Sequence, residues 1–175
     1  MKKAAILIVD DEISNIEIMN AVLEDDYEIC FATSGEQALE TARLVQPDLV
    51  LLDVLMPGMD GFEACRQLKQ DPLLADVPVI FTTGLGDTED EMRGLSLGAI
   101  DYVTKPIQPM ILKARVGNHI ELKRLRGQLA AMAVTDALTG LSNRRHLEQI
   151  LFIETARLAR GEEWLTVIML DIDFF

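Results

Sequence analysis

Ala4-Ala5-Ile6-Leu7-Ile8-Val9-Asp10-Asp11-Glu12 is an unbroken apolar run that stops at a cluster of carboxylates. A run that is apolar at every position, rather than at every second one, reads as a strand buried on both faces. Such strands belong to parallel sheets covered by helices on each side. Residues 48–53 carry a second run, Leu49-Val50-Leu51-Leu52, which again ends at an aspartate, Asp53.

Working outward, residues 27–32 alternate as a short strand, Pro78 opens a strand to Thr82, and residues 100–103 form a last one. Helices fill the gaps. Residues 14–25 place Ile16, Met19 and Leu23 at helical spacing, with Ser14 or Asn15 as the cap. Residues 35–45 form a helix stopped by Pro47. After the turn Pro57-Gly58-Met59-Asp60-Gly61, a helix runs from about 61 to 70 and stops near Pro72. The loop Thr83-Gly84-Leu85-Gly86 leads to a helix over 88–97, ended by Gly98. This alternation predicts a doubly wound, five-stranded parallel α/β sheet. In such sheets ligands gather outside the carboxyl ends of the strands, where strand order reverses. Asp10, Asp11, Asp53, Thr83 and Lys105 all fall at those ends.

Composition narrows the function. The net charge of −13 argues against nucleic acid or an anionic membrane surface as partner. Hydrophobic residues are 49% of the chain and aromatics 5%, so the core must be aliphatic. No stretch reaches the length of a membrane span, and the start lacks a signal-peptide pattern. Cys30 and Cys65 have no metal-like spacing and read as buried thiols in a reducing compartment. A cytoplasmic protein is expected.

Three carboxylates, from Asp10, Asp11 and Asp53, would repel one another unless a cation sat between them. Hard oxygen ligands without His or Cys favour Mg²⁺. Lys105 adds a positive charge and Thr83 a hydroxyl, which together could neutralise a phosphoryl group in transfer. One carboxylate would then be the nucleophile, and Asp53, alone at the end of a central strand, is the best placed. Taken singly, each residue has an ordinary explanation as a helix cap, a turn residue or a surface lysine. Their joint occurrence at strand ends points to chemistry.

These motifs resemble the receiver domain family of two-component signalling. The matching residues are Val9-Asp10-Asp11-Glu12, Leu52 through Gly61, Phe81-Thr82-Thr83-Gly84, and Gly98 through Pro106. The resemblance covers residues 4 to about 122. It implies a flavodoxin-like strand order of 2-1-3-4-5 and phosphorylation of Asp53 by a phosphohistidine on a sensor histidine kinase. Asp11 and Asp53 would ligate Mg²⁺ directly, with the Leu55 backbone carbonyl, while Asp10 would act through water. Thr83 and Lys105 would bind phosphoryl oxygens, Tyr102 would swing inward on activation, and the Lys105-Pro106 bond would be cis.

Beyond the receiver, residues 107–135 are helical and charged. Ile111, Leu122, Leu125, Leu129 and Met132 follow a heptad-like seam, interrupted by Arg115 and Asn118. The seam fits a dimerising coiled coil, or a single amphipathic helix lying on its own domain. Asp136 through Arg145 resembles the entry motif of the diguanylate cyclase (GGDEF) family, and Met169 through Phe175 resembles that family's first metal-binding strand. A strand over 164–170 and a helix over 143–160 are expected here. By this match Asp171 would be a Mg²⁺ ligand in an intact cyclase. The Gly-Gly-Asp/Glu-Glu-Phe hairpin does not occur in these residues. The expectation is therefore a receiver over 1–122, a linker helix over 123–135 and a truncated, inactive GGDEF segment over 136–175. The intact protein would join two GTP into cyclic di-GMP. A homodimer through the linker, or through the fourth helix, fifth strand and fifth helix, would bring its two active sites face to face. One alternative is a receiver that acts only by binding a partner. A phosphatase of the haloacid dehalogenase type fits poorly, because that family places Asp-x-Asp after its first strand whereas here Asp10 and Asp11 are adjacent.

Overall fold

The computed structural model describes residues 3–84, 96–134, 139–158 and 164–168. The chain divides into two units, Met1–Arg124 and Leu125–Phe175.

In the first unit the apolar runs become strands β1 (Ala5–Val9), β2 (Glu28–Ala32), β3 (Leu49–Asp53), β4 (Val79–Thr83) and β5 (Asp101–Thr104). All pair in parallel in the order β2-β1-β3-β4-β5. Every residue of β1, β3 and β4 is buried, whereas β2 and β5, at the edges, are partly exposed. Helices α1 (Ile13–Leu23), α2 (Gly35–Val45), α3 (Gly61–Gln70) and α4 (Pro109–Val134) cover the two faces.

Side chains alternate across a strand, so each strand feeds two cores. Ile6, Ile8, Leu51, Ile80 and Val103 pack with α1 and with Leu112 and Val116 of α4. Leu7, Val9, Leu52, Val79 and Phe81 pack with α2 and α3, where Phe62 meets Phe81 edge-on at 5.3 Å. Each such aliphatic side chain contributes about 1.5–3 kcal/mol by leaving water. The central strands therefore fix the fold.

Several boundaries differ from expectation for local reasons. Strand β4 runs one residue further, so Thr83 closes the strand instead of opening a loop. Helix α1 starts at Ile13 after Glu12, with no side-chain cap. Asn15, an expected cap, instead donates to Asp10 Oδ1 at 2.9 Å and to Glu12 Oε2 at 3.2 Å. Helix α2 is capped by Ser34 and α3 by Asp60, whose Oδ1 accepts from the Glu63 N–H at 2.7 Å. Cys65 is buried, but Cys30, on edge strand β2, is only partly so. Residues 88–95 of the expected helix lie outside the described residues.

Helix α4 is continuous over 26 residues, in line with the helical pattern read over 107–135, and the expected linker is its second half. Its buried row is Leu112, Val116 and, partly, Ile120, at four-residue steps. Of the predicted seam, Ile111, Leu122, Leu125 and Leu129 remain exposed, and the side chain of Met132 lies outside those described. Salt bridges flank the buried row, from Arg115 to Asp101, Lys113 to Asp26 and Lys123 to Asp48, and the His119 ring lies 3.1 Å from Asp101 Oδ2.

In the second unit Asn143 caps α5 (Arg144–Leu158) by accepting from the His146 N–H at 3.1 Å. Residues 164–168 are irregular, not the expected strand. A strand exists through its ladder, and no neighbouring strand pairs with these residues among those described. Asp136 and Asp171 through Phe175 lie outside the described residues.

Candidate functional site

Alternation along the strands decides which side chains meet. Ile8, Leu51, Ile80 and Val103 line the core beneath α1 and α4. Two residues further along, on the same face, stand Asp10, Asp53, Thr82 and Lys105. Asp10 and Asp53 are 0% and 4% exposed, and Asp11 is exposed. One oxygen from each of the three carboxylates lies within 4.8 Å of the others. Lys105 Nζ is 2.8 Å from Asp10 Oδ2 and 2.9 Å from Asp53 Oδ1. The other oxygen of Asp10 accepts from the Glu12 N–H at 3.0 Å and from Asn15. Asp10 is thus fixed on both sides, and one ammonium serves two buried carboxylates.

The backbone around Asp53 is equally constrained. The Val54 N–H donates to the Thr82 carbonyl at 3.1 Å, and the Gly61 N–H donates to the Val54 carbonyl at 3.0 Å. A Cβ on Gly61 would stand 2.0 Å from the Asp53 carbonyl oxygen, so only glycine lets α3 start this close to the strand end. Leu55 follows two residues after Asp53, with its side chain in solvent.

Thr83 and Tyr102 are not gathered into this cluster. Thr83 falls on the row of Phe81, across the sheet from Asp53, and its hydroxyl donates to the Gly84 carbonyl at 3.4 Å. Tyr102, half-buried on the same row, has the Arg115 guanidinium 5.6 Å from its ring centroid. Arg115 is in turn paired with Asp101. The Lys105-Pro106 peptide bond is cis.

Burial is the largest influence on Asp53 and pushes its carboxyl above the usual range; Asp10 and Asp11 push the same way, and Lys105 opposes them. Burial works against the charge of Lys105, but hydrogen bonds and charge from Asp10 and Asp53 outweigh it and hold its pKa above the usual value. For Asp101, burial is outweighed by Arg115, His119 and the Tyr102 N–H, and its carboxyl sits low. The all-oxygen donor set of Asp10, Asp11 and Asp53 suits a hard divalent cation.

Sequence reasoning overlooked Asn15 as a support for Asp10, Arg115 as the partner of Tyr102, and Thr82. Counting in twos from Ile80 would have put Thr82 beside Asp53.

A doubly wound, five-stranded parallel sheet with an acidic, lysine-bridged cluster at its carboxyl edge has the flavodoxin-like architecture of a receiver domain. Residues 6–117 match the response regulator receiver domain, and the chain belongs to that family. Residues 133–175 match part of the diguanylate cyclase, GGDEF domain. The chain is 43% identical over 127 residues to the response regulator PleD of Caulobacter vibrioides, covering 72% of this chain and 28% of that protein. It is 46% identical over 124 residues to a Vibrio cholerae protein named "Probable cyclic di-GMP phosphodiesterase", covering 71% of this chain and 28% of that one. The chain therefore spans little more than a quarter of the length of these relatives. Among solved structures, a response regulator receiver domain protein from Clostridium thermocellum superposes with a TM-score of 0.65 at 30% identity, over 70% of this chain and 98% of that one.

Proposed function

We propose that Asp53 is the phosphoryl acceptor of a two-component switch and that a sensor histidine kinase is its donor. The observation that carries this reading is the shared Lys105 ammonium, which holds Asp53 and Asp10 side by side with Asp11 within 4.8 Å. An Asp53 carboxylate oxygen attacks phosphorus, the phosphorus–nitrogen bond of the phosphohistidine breaks, and the electron pair returns to the imidazole. Asp11, Asp53 and the Leu55 carbonyl would hold Mg²⁺, with Asp10 acting through water. When bound, the ion would neutralise charge on the phosphoryl oxygens. Lys105 is already in place to receive one of those oxygens. Thr83 reaches another only after leaving the Gly84 carbonyl, and Tyr102 follows only after leaving Arg115. Phosphorylation adds negative charge that draws both inward.

The match over 133–175 supports a diguanylate cyclase as the output of the whole protein, making cyclic di-GMP from two GTP. Asp171 would be a metal ligand of that cyclase. The exposed row Ile111, Leu122, Leu125 and Leu129 on α4 supports a homodimer that pairs its two active sites. No helix among the described residues is long and apolar enough to cross a membrane, in keeping with a cytoplasmic signalling protein. The test is direct. Acetyl phosphate with Mg²⁺ should add one phosphoryl group by mass spectrometry, and Asp53→Ala should take up none. Label on another residue, or no uptake by the wild type, would remove Asp53 from this role.

A further inference from the structure

The Lys105 ammonium satisfies Asp10 Oδ2 at 2.8 Å. Thr82 Oγ1 is then a buried side-chain atom without a hydrogen bond. It has no part in the chemistry so far. Thr82 is 0% exposed. A buried hydroxyl without a partner costs stability that a valine of the same shape would not.

Its position suggests what it is for. In the parallel pairing of β3 with β4, Asp53 lies opposite Thr82. Partners in register project from the same face of a sheet. Asp10 flanks Asp53 from β1, and Thr82 flanks it from β4. Among the described residues, the donor that reaches the Asp53 side chain is Lys105, and Lys105 is shared with Asp10. One shared ammonium neutralises Asp53 without fixing the plane of its carboxylate.

We propose that Thr82 is a positioning residue for Asp53: through one buried water, its hydroxyl holds the carboxylate in the orientation that attacks phosphorus. A buried hydroxyl that no protein group satisfies, in register with a buried carboxylate, is the kind of group that a trapped water serves. The inference rests on Asp53 being the phosphoryl acceptor. The attacking oxygen, the bond broken and the leaving group are unchanged; only the orientation of the nucleophile is set.

The test compares Thr82→Val and Thr82→Ser with wild type in the full chain. Initial rates of phosphoryl uptake are measured from acetyl phosphate with Mg²⁺, beside thermal melts. Thr82→Val should slow uptake about tenfold and Thr82→Ser by no more than about twofold, because serine keeps the hydroxyl. The melts establish that both variants fold, so that a slower rate reports on the site. Wild-type rates in Thr82→Val, or equal slowing in both variants, would overturn the inference and leave Asp53 as acceptor. A wild-type chain that takes up no phosphoryl group would instead overturn the reading of Asp53 itself, and this inference with it.

Discussion

Replacing Asp53 by Asn should make the metal-free protein more stable at pH 7, although it removes the proposed phosphoryl acceptor. Carboxylate oxygens of Asp10, Asp11 and Asp53 lie within 4.8 Å of one another. Two unit charges at that separation repel by about 3.5 kcal/mol at an effective dielectric constant of about 20. Lys105, 2.9 Å from Asp53, attracts it by about 6 kcal/mol on the same scale. The Coulomb contributions nearly cancel, and water screens the share of exposed Asp11. Desolvation then decides the sign: burial is the foremost cause of the raised Asp53 pKa. The Asn variant should gain on the order of 1 kcal/mol, or about 4 °C in Tm for a folded unit of this size. The pH dependence follows from the same shift. With a folded-state pKa above the ordinary carboxylate value, the native state keeps this proton longer than the unfolded chain does. Wild type therefore loses stability as pH rises from that ordinary value through the folded pKa. Below this window both side chains are neutral, and the variant's advantage should vanish. Saturating Mg²⁺, at about 100 times its Kd, should add about 2.7 kcal/mol to wild type and less to the variant, reversing the order. Circular-dichroism melts between about pH 3 and 8, with chelator or Mg²⁺, read all of this. A variant less stable than wild type in chelator at pH 7, or equal Mg²⁺ stabilisation of both proteins, would refute the reasoning.

Lys105→Met should cost about 2 kcal/mol in urea titrations, because Asp10 and Asp53 lose the cation they share; the figure is discounted from a fully buried pair because Lys105 is partly exposed. Gly61→Ala should destabilise by about 1–3 kcal/mol, since its Cβ would stand 2.0 Å from the Asp53 carbonyl oxygen. It should also slow phosphoryl uptake, because relief requires the end of β3 or the start of α3 to move. Unchanged stability in either variant would show that the site tolerates what its geometry forbids.

The fold was legible because its central strands are buried on both faces. Leu49 to Leu52 has no polar position that could face solvent, and the structure buries all of it. Features that depend on tertiary partners were not legible. Asn15 looked like a helix cap until Asp10 claimed its amide. The heptad reading of α4 chose the row through Ile111 and Leu122. The sheet instead buries the row through Leu112 and Val116, and Arg115 and His119 beside that row meet Asp101. Amphipathicity says that a helix has an apolar side, but the core it packs against decides which of two apolar rows is covered.

The site shows the same division between composition and geometry. Which residues end the strands could be read from the chain, and so could the oxygen-only character of the carboxylates. Which residues share a face could be read only by carrying strand alternation through to the last residue. Thr82 and Thr83 are adjacent and chemically identical, yet one stands beside Asp53 in register and the other lies on the opposite row. The family resemblance draws attention to Thr83, whose hydroxyl is turned to its own loop. Parity draws attention to Thr82, whose hydroxyl is buried without a partner. On the proposed reading the two divide the work: Thr82 stays beside Asp53 and holds its aim, and Thr83, across the sheet, arrives when the charge changes.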